Sequence, residues 1–495
     1  MKVLRNFGIV LLTLLAWSGI AGAQAFTAGK WQSLKNAPSF SADTPLLLTN
    51  GTVMVHQYQS VKWWQLTPDI TGNYVNGTWT ELASAPTGYE PLYFASAVLA
   101  DGNVVVEGGE YNGDQTETTE GAIYNPFTNT WTSISPPTGW TAIGDAQSVV
   151  LADDTFMLGN CGFTGTICSS LSDPFQFQQA LLTESSLTWT ITGTGKADQN
   201  SEEGWALLPN GEVMVVDMDN GTESELYDPS TGSWSLAGST VAPLVETTCY
   251  EIGPMVLQPN GILFAIGGNN NTALYNTNTS TWSAGPTFPT GYGVEDGPAA
   301  LLPDGNVLVG VAPTKPCYRS GTKYYEFDGT NLNLTTSPSG AGSNPSYTGR
   351  MLVLPTGQIL FTNGTKTVQV YTASGTYESS WQPTITSVAS TLTAGSTDNL
   401  IEGTQFNGLS QGAMYGDDAQ MASNYPIVRL VNTSSHDVYY CTTHNHSTMG
   451  VATGSTTVST EFDIPSTVPA GTYQLFVVAN GIPSTGAKVT VNAAP

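Results

Sequence analysis

The feature that most constrains this chain is a hairpin that recurs seven times: "LLLTNGTVMV", "AVLADGNVVV", "VVLADDTFML", "ALLPNGEVMV", "VLQPNGILFA", "ALLPDGNVLV" and "LVLPTGQILF". Each is an apolar run, a two-residue turn usually ending in Gly, and a second run rich in β-branched residues. Gly supplies the positive φ that a tight hairpin needs. The turns begin at Asn50, Asp101, Asp153, Asn210, Asn260, Asp304 and Thr356. Their spacing of roughly 50 residues is the period of a four-stranded propeller blade of the kelch type.

A second element completes several units: "YNPFTNTW" at Tyr124, "YDPSTGSW" at Tyr227 and "YNTNTSTW" at Tyr275. A Tyr on the third strand, a polar turn and a Trp opening the fourth strand make a blade, and Trp79 and Trp189 open equivalent strands elsewhere. The last unit lacks its own fourth strand, while "KWQSLKNAP" around Trp31 stands alone near the start. Donating it to the last blade closes the ring and removes exposed sheet edges. Beyond "PTITSV" the period is lost, and "PIVRLV", "DVYYCTT", "STEFDIP", "YQLFVVA" and "AKVTV" read as short sandwich strands. The fold class expected is all-β: a seven-bladed kelch-type β-propeller over residues 24–382, then an immunoglobulin-like β-sandwich over 383–495.

Residues 1–23 read as a secretory signal peptide, with Lys2 and Arg5, an apolar run from Phe7 to Trp17, and small residues Ala21, Gly22 and Ala23. The mature protein is therefore expected to be secreted, extracellular or in the cell envelope, with no membrane span and as a monomer. Thirteen basic against 39 acidic residues give a formal charge of −26, which repels nucleic acid and anionic lipid. The chain has five cysteines. In an oxidising compartment "CGFTGTIC" suggests a Cys161–Cys168 bridge, Cys249 and Cys317 would pair next, and Cys441 would remain free. The segment "YYCTTHNHSTMG" raises a metal question. If it is extended, His444 and His446 share one face and Cys441 the other, yet two histidines alone fall short of a tight site.

The closed propeller, its terminal sandwich and the segments "TTHNHSTMG" and "FDIPSTVPAGTYQLFVVANGIPS" together resemble the galactose oxidase and glyoxal oxidase family. That resemblance implies a copper radical oxidase of alcohols or aldehydes that produces hydrogen peroxide. Its site would comprise a Tyr cross-linked to a Cys, a second Tyr followed by a His, and a His from the C-terminal domain. By position before each turn, Tyr93 matches the cross-linked tyrosine and Tyr347 the axial one, with His444 as the domain-delivered ligand. Thr348 stands where the family has a histidine, and Ala42 where it has the cysteine. Copper(II) wants about four strong equatorial donors. His446 is a substitute donor for the missing one, whereas His56 and His436 are hard to bring to the same point. On the bland reading, Tyr93, Tyr347 and His444 simply plug the propeller axis.

The same lead-in position carries acids in the other blades: Asp145, Glu202, Glu203, Glu251, Glu295 and Asp296, with Asp43 following Ala42. Converging loops would make an acidic mouth, whose crowded carboxylates raise one another's pKa unless a cation is present. Oxygen donors favour calcium over copper, so the residues leave calcium, copper or no metal open; exposed carboxylates can simply be hydrated. The expected function is a secreted, non-oxidising binding protein that uses the axial face of the propeller for a carbohydrate or another polar cell-surface ligand. Trp63, Trp64 and Trp140 are candidate stacking faces. The alternatives are an oxidase with altered ligands, and an adhesion protein in which the sandwich only caps the ring. No nucleophile elbow, phosphate loop or zinc-protease motif is present.

Overall fold

The computed structural model describes residues 26–116, 118–144, 147–160, 177–411, 414–415, 419–420 and 424–494. The expected signal peptide, Asp145 and the expected Cys161–Cys168 bridge lie outside them. Seven antiparallel sheets follow one another in the order the hairpins dictate. Blade 1 is built from Ala42–Leu47, Val53–Gln57, Trp63–Thr67 and Thr78–Glu81. Blade 2 uses Ala95–Val98, Val104–Glu107, Gly121–Asn125 and Thr130–Ile134. The inner strands of blades 3 to 6 begin at Ser148, Ala206, Ile252 and Ala299.

Blade 7 confirms the closure. Its strands Arg350–Val353, Ile359–Thr362 and Gln369–Thr372 receive Lys30–Ser33 as the fourth, with Trp31 opposite Tyr371. The indole packs on Tyr371 at 4.9 Å, Phe361 at 5.5 Å and Tyr324 at 5.7 Å, and its Nε1–H donates to the Thr336 carbonyl at 2.8 Å. The backbone N–H of Gly29 donates to the Tyr371 hydroxyl at 2.9 Å. The paired Tyr and Trp of the internal blades meet in the same way, with ring centroids at 5.1 Å for Tyr124–Trp131, 5.3 Å for Tyr227–Trp234 and 5.0 Å for Tyr275–Trp282. Between blades, β-branched residues such as Val53, Val104, Val213 and Val307 are wholly buried, so the ring is held by face-to-face apolar packing of neighbouring sheets.

The second unit is a curled nine-stranded sheet whose two layers share the strand Val438–His444. Its core includes Ile401, Val428, Leu430, Phe462, Tyr473 and the buried free thiol of Cys441. This unit docks on the propeller face formed by the hairpin turns. Thr443 N–H donates to the Thr49 carbonyl at 3.4 Å, His446 N–H to Ala100 at 3.2 Å and Met449 N–H to Ala152 at 3.1 Å, which reaches the turns of blades 1, 2 and 3. Gly51 lies under the Tyr440 ring with φ 73, where an added Cβ would meet the ring at 2.5 Å, so that turn needs glycine twice over.

A further segment, unforeseen from sequence, leaves the sandwich. Met414–Tyr415 and Ala419–Gln420 form a small hairpin that pairs with the inner strand of blade 5, Met414 opposite Met255, and lies against the inner strands of blades 1 and 2. The C-terminal region therefore sends backbone into the axis of the ring, but from residues 414–415 and 419–420 rather than from the histidine segment.

Candidate functional site

Blade polarity decides which residues can meet. In blade 2, Ala95 pairs with Glu107 at the lead-in end and Val98 with Val104 at the turn end, so the strand separates the two ends by about 10 Å at roughly 3.3 Å per residue. Tyr93 precedes this strand at the lead-in end. His444 packs on Phe127, with ring centroids 5.9 Å apart, in the loop joining the third and fourth strands at the turn end. The expected set of Tyr93, Tyr347, His444 and His446 is thus not brought together: the tyrosines lie at the axial mouth and both histidines on the opposite, sandwich-covered face.

At the mouth the tyrosines form an arc. Tyr93 and Tyr347 stand edge to face with centroids 6.4 Å apart, Tyr111 joins Tyr93 at 6.1 Å, and Tyr318 joins Tyr347 at 5.6 Å. Tyr58 interacts electrostatically with Tyr347 from the loop following the second strand of blade 1. Tyr58, Tyr111 and Tyr318 are 40, 37 and 43% exposed, so the arc offers ring surface to solvent. Behind it lies Arg350, 1% exposed, with its guanidinium 5.4 Å from the centre of the Tyr93 ring and an N–H donated to the Tyr347 carbonyl. Burial would raise the carboxyl of Asp43, but His56 and the Arg350 charge outweigh it and hold the group below its ordinary value. His56 donates from Nε2 to the Ser60 carbonyl at 2.7 Å, which turns Nδ1 toward Asp43 Oδ2 at 3.9 Å.

At the Tyr318 end of the arc, three of the lead-in acids come together. Glu202, Glu251 and Asp296, from the lead-in loops of blades 4, 5 and 6, place one carboxylate oxygen each within 4.8 Å of the others. The Tyr318 hydroxyl donates to Glu251 Oε1. Burial first, then the neighbouring Asp296, pushes the Glu251 carboxyl well above its ordinary value. The other two acids face elsewhere. Glu203 points into blade 4, where it accepts from Lys196 Nζ at 2.8 Å and Gln147 Nε2 at 2.8 Å. Glu295 is buried beside the Cys249–Cys317 disulfide and accepts the Tyr318 backbone N–H at 3.1 Å. Its carboxyl is pushed up to about 7 by burial and then by Glu246, against the Tyr318 hydrogen bond.

The histidine segment lies on the sandwich-covered face, where His444, Asp398 and Glu461 gather as a separate group of possible metal donors. The strand ends at His444 because Asn445 adopts a left-handed φ of 51, so the expected alternation fails and His446 turns inward. His444 Nε2 sits 3.1 Å from Asp463 Oδ1, with Asp398 and Glu461 oxygens at 3.8 Å. The hydroxyl of Thr460 spends its one hydrogen on a backbone carbonyl, so His446 Nδ1 donates to it at 2.8 Å. Burial, then His444, lowers the His446 pKa to about 3, and its ring lies parallel to Tyr425 with centroids 6.2 Å apart. The tryptophans offered as stacking faces are also core: Trp63 and Trp140 are buried, and Trp64 stacks on Phe40 at 4.6 Å.

Copper does not fit this mouth. Thr348 Oγ1 donates to the Pro345 carbonyl at 3.0 Å, Ala42 is fully buried in the first strand of blade 1, and the one histidine at this end, His56, is engaged by the Ser60 carbonyl, Asp43 and the Phe94 ring. The three carboxylates suit a hard cation in donor type, although calcium takes about six to eight oxygens. Reading the sequence alone missed Arg350, Tyr58, Tyr111 and Tyr318. The first lies three residues after Tyr347, and "PCYRS" carried a signal in Cys317, whose bridge ties Tyr318 to the mouth.

No protein-family profile matches the chain. The kelch-like protein terF of Aspergillus terreus (strain NIH 2624 / FGSC A1156) is 33% identical over 95 residues, 19% of this chain and 20% of that protein, so the chain matches about a fifth of that relative's length. The solved structure of a fungal alcohol oxidase of the AA5 family, in complex with copper, superposes with a TM-score of 0.52 at 15% identity over 94% of this chain and 100% of its own. The likeness is one of fold, a seven-bladed propeller with an additional sheet unit.

Proposed function

We propose that this galactose oxidase-like kelch protein is a secreted, non-oxidising binding protein whose axial mouth takes a carbohydrate or a similar polyhydroxylated surface ligand. One observation carries the reading: an arc of four tyrosines in ring contact, Tyr111 and Tyr318 among them solvent-exposed, runs into three clustered carboxylates, with the exposed Tyr58 nearby. Aromatic faces receive the apolar face of a sugar ring, while carboxylates and phenols exchange hydrogen bonds with its hydroxyls. The tyrosine pair lacks the imidazoles a copper centre needs, which supports binding over oxidation.

The test is a glycan-array screen of the full-length protein followed by calorimetric titration of the best ligand. Tyr318→Ala is expected to weaken binding by up to about tenfold, the worth of one aromatic contact. A ligand whose affinity is unmoved by both Tyr318→Ala and Glu251→Gln would place binding elsewhere. Peroxide released from galactose, glycerol or glyoxal by copper-reconstituted protein would overturn the reading in favour of an oxidase.

A further inference from the structure

We infer that Arg350 is the resident cation of the mouth: a guanidinium built into the chain supplies the fixed positive charge beside the tyrosine pair, and excludes copper from it. The two tyrosines retain the positions expected of copper-ligating residues, and three features of Arg350 then bear on any metal approaching them. Its guanidinium lies over the Tyr93 ring at 5.4 Å and is tied to the carbonyls of Tyr347 and, at 3.1 Å, Gly349. One side chain thereby fixes both tyrosines from behind. It is buried, so water screens its charge poorly and a dication entering between the phenols meets strong repulsion. Its counter-ion is already present: Asp43, the residue after Ala42, balances it and is in turn backed by His56. The local charge is closed without a metal.

The same substitution pattern is internally consistent. Thr348 offers no imidazole, Ala42 offers no sulfur for a thioether to Tyr93, and the buried Arg350 supplies a positive charge against both tyrosines. Arg350 is accordingly a positioning residue for the aromatic arc. This inference is independent of which ligand the mouth takes.

The experiment is a copper(II) titration of the full-length protein, read by electron paramagnetic resonance and by the visible tyrosinate-to-copper charge-transfer band. Wild type and Thr348→His are expected to show no such band, because the guanidinium remains. The double variant Thr348→His/Arg350→Met is expected to show it, with copper affinity at least about tenfold above Thr348→His once a unit charge is removed from beside the metal. A band in wild type, equal uptake by Thr348→His and the double variant, or a folded double variant with no band would each overturn the inference. If the double variant does not fold by circular dichroism, the wild-type and Thr348→His titrations still decide, since a band in either refutes it and silence in both upholds it. Copper uptake without peroxide would sink this inference and leave the binding reading intact; failure of glycan binding would do the reverse.

Discussion

Replacing Glu295 by Gln should flatten the pH dependence of stability, because this carboxyl is buried, beside a disulfide, with its acid form favoured. Its pKa rises from 4.5 to about 7 on folding, mainly through burial, with Glu246 adding repulsion and the Tyr318 N–H opposing both. A group whose folded pKa is raised contributes stability that is fully present below the unfolded value and is lost as pH rises through the folded value. The window here runs from about pH 4.5 to 7, and roughly 2.5 pKa units correspond to about 3 kcal/mol lost across it. Gln keeps an acceptor for Tyr318 N–H but has no proton to lose. Urea denaturation of both proteins at pH 4.5 and 8 measures the effect as a difference of differences, so a constant penalty from the substitution cancels. Wild type should lose about 3 kcal/mol more than the variant between the two conditions. Parallel profiles would refute the claim that Glu295 is held protonated by its surroundings.

Two further outcomes follow from the architecture. Replacing Cys249 and Cys317 together by Ser opens a bridge across a sequence separation of 68, so chain entropy predicts a loss of about 4 kcal/mol, seen in denaturant melts; an unchanged midpoint would show that the loops are held by other contacts. Trp31→Ala should cost about 2–3 kcal/mol, given that the indole is only partly buried, and should raise amide hydrogen exchange across Lys30–Ser33 and Gln369–Thr372 selectively; uniform exchange would refute a local closure.

The ring was legible because its signals are local and repeated. Glycine at the hairpin turns and a Tyr–Trp couple on adjacent strands report on contacts between residues close in sequence, and Trp31 could be assigned by the gap it fills. What sequence could not show was face. Tyr93 and His444 are correctly placed within their own units, yet the sandwich docks on the turn side, and nothing in either local pattern states that. The axial strands Met414–Tyr415 and Ala419–Gln420 were invisible for a related reason: two-residue strands carry almost no periodicity. Arg350 was hidden because a basic residue beginning an inner strand reads as a strand-end surface charge until its burial is known. The acids were half legible, since lead-in position fixes which end of the blade they occupy but not whether they turn to the axis, as Glu251 does, or into a blade, as Glu203 does.

The mouth also concentrates backbone that a stable fold would avoid. Tyr93, Glu202, Tyr250, Glu295, Asp296 and Tyr318 all have left-handed φ, between 40 and 64, although none is glycine. Each costs on the order of 1 kcal/mol or more relative to the right-handed region. Six of the seven hairpin turns at the other end meet the same demand with Gly51, Gly102, Gly211, Gly261, Gly305 and Gly357, while the third uses Asp154 at φ 74, and Asn129, Leu187 and Ser280 keep side chains at left-handed positions of that end too. The strained mouth positions coincide with the candidate site. Three of them, Glu202, Asp296 and Tyr318, belong to the carboxylate cluster or cap it, and Tyr93 holds the centre of the arc. Backbone strain that coincides with the carboxylate cluster and the tyrosines accords with the binding role proposed for this face, because strained positions persist where their side chains are held by the surrounding site.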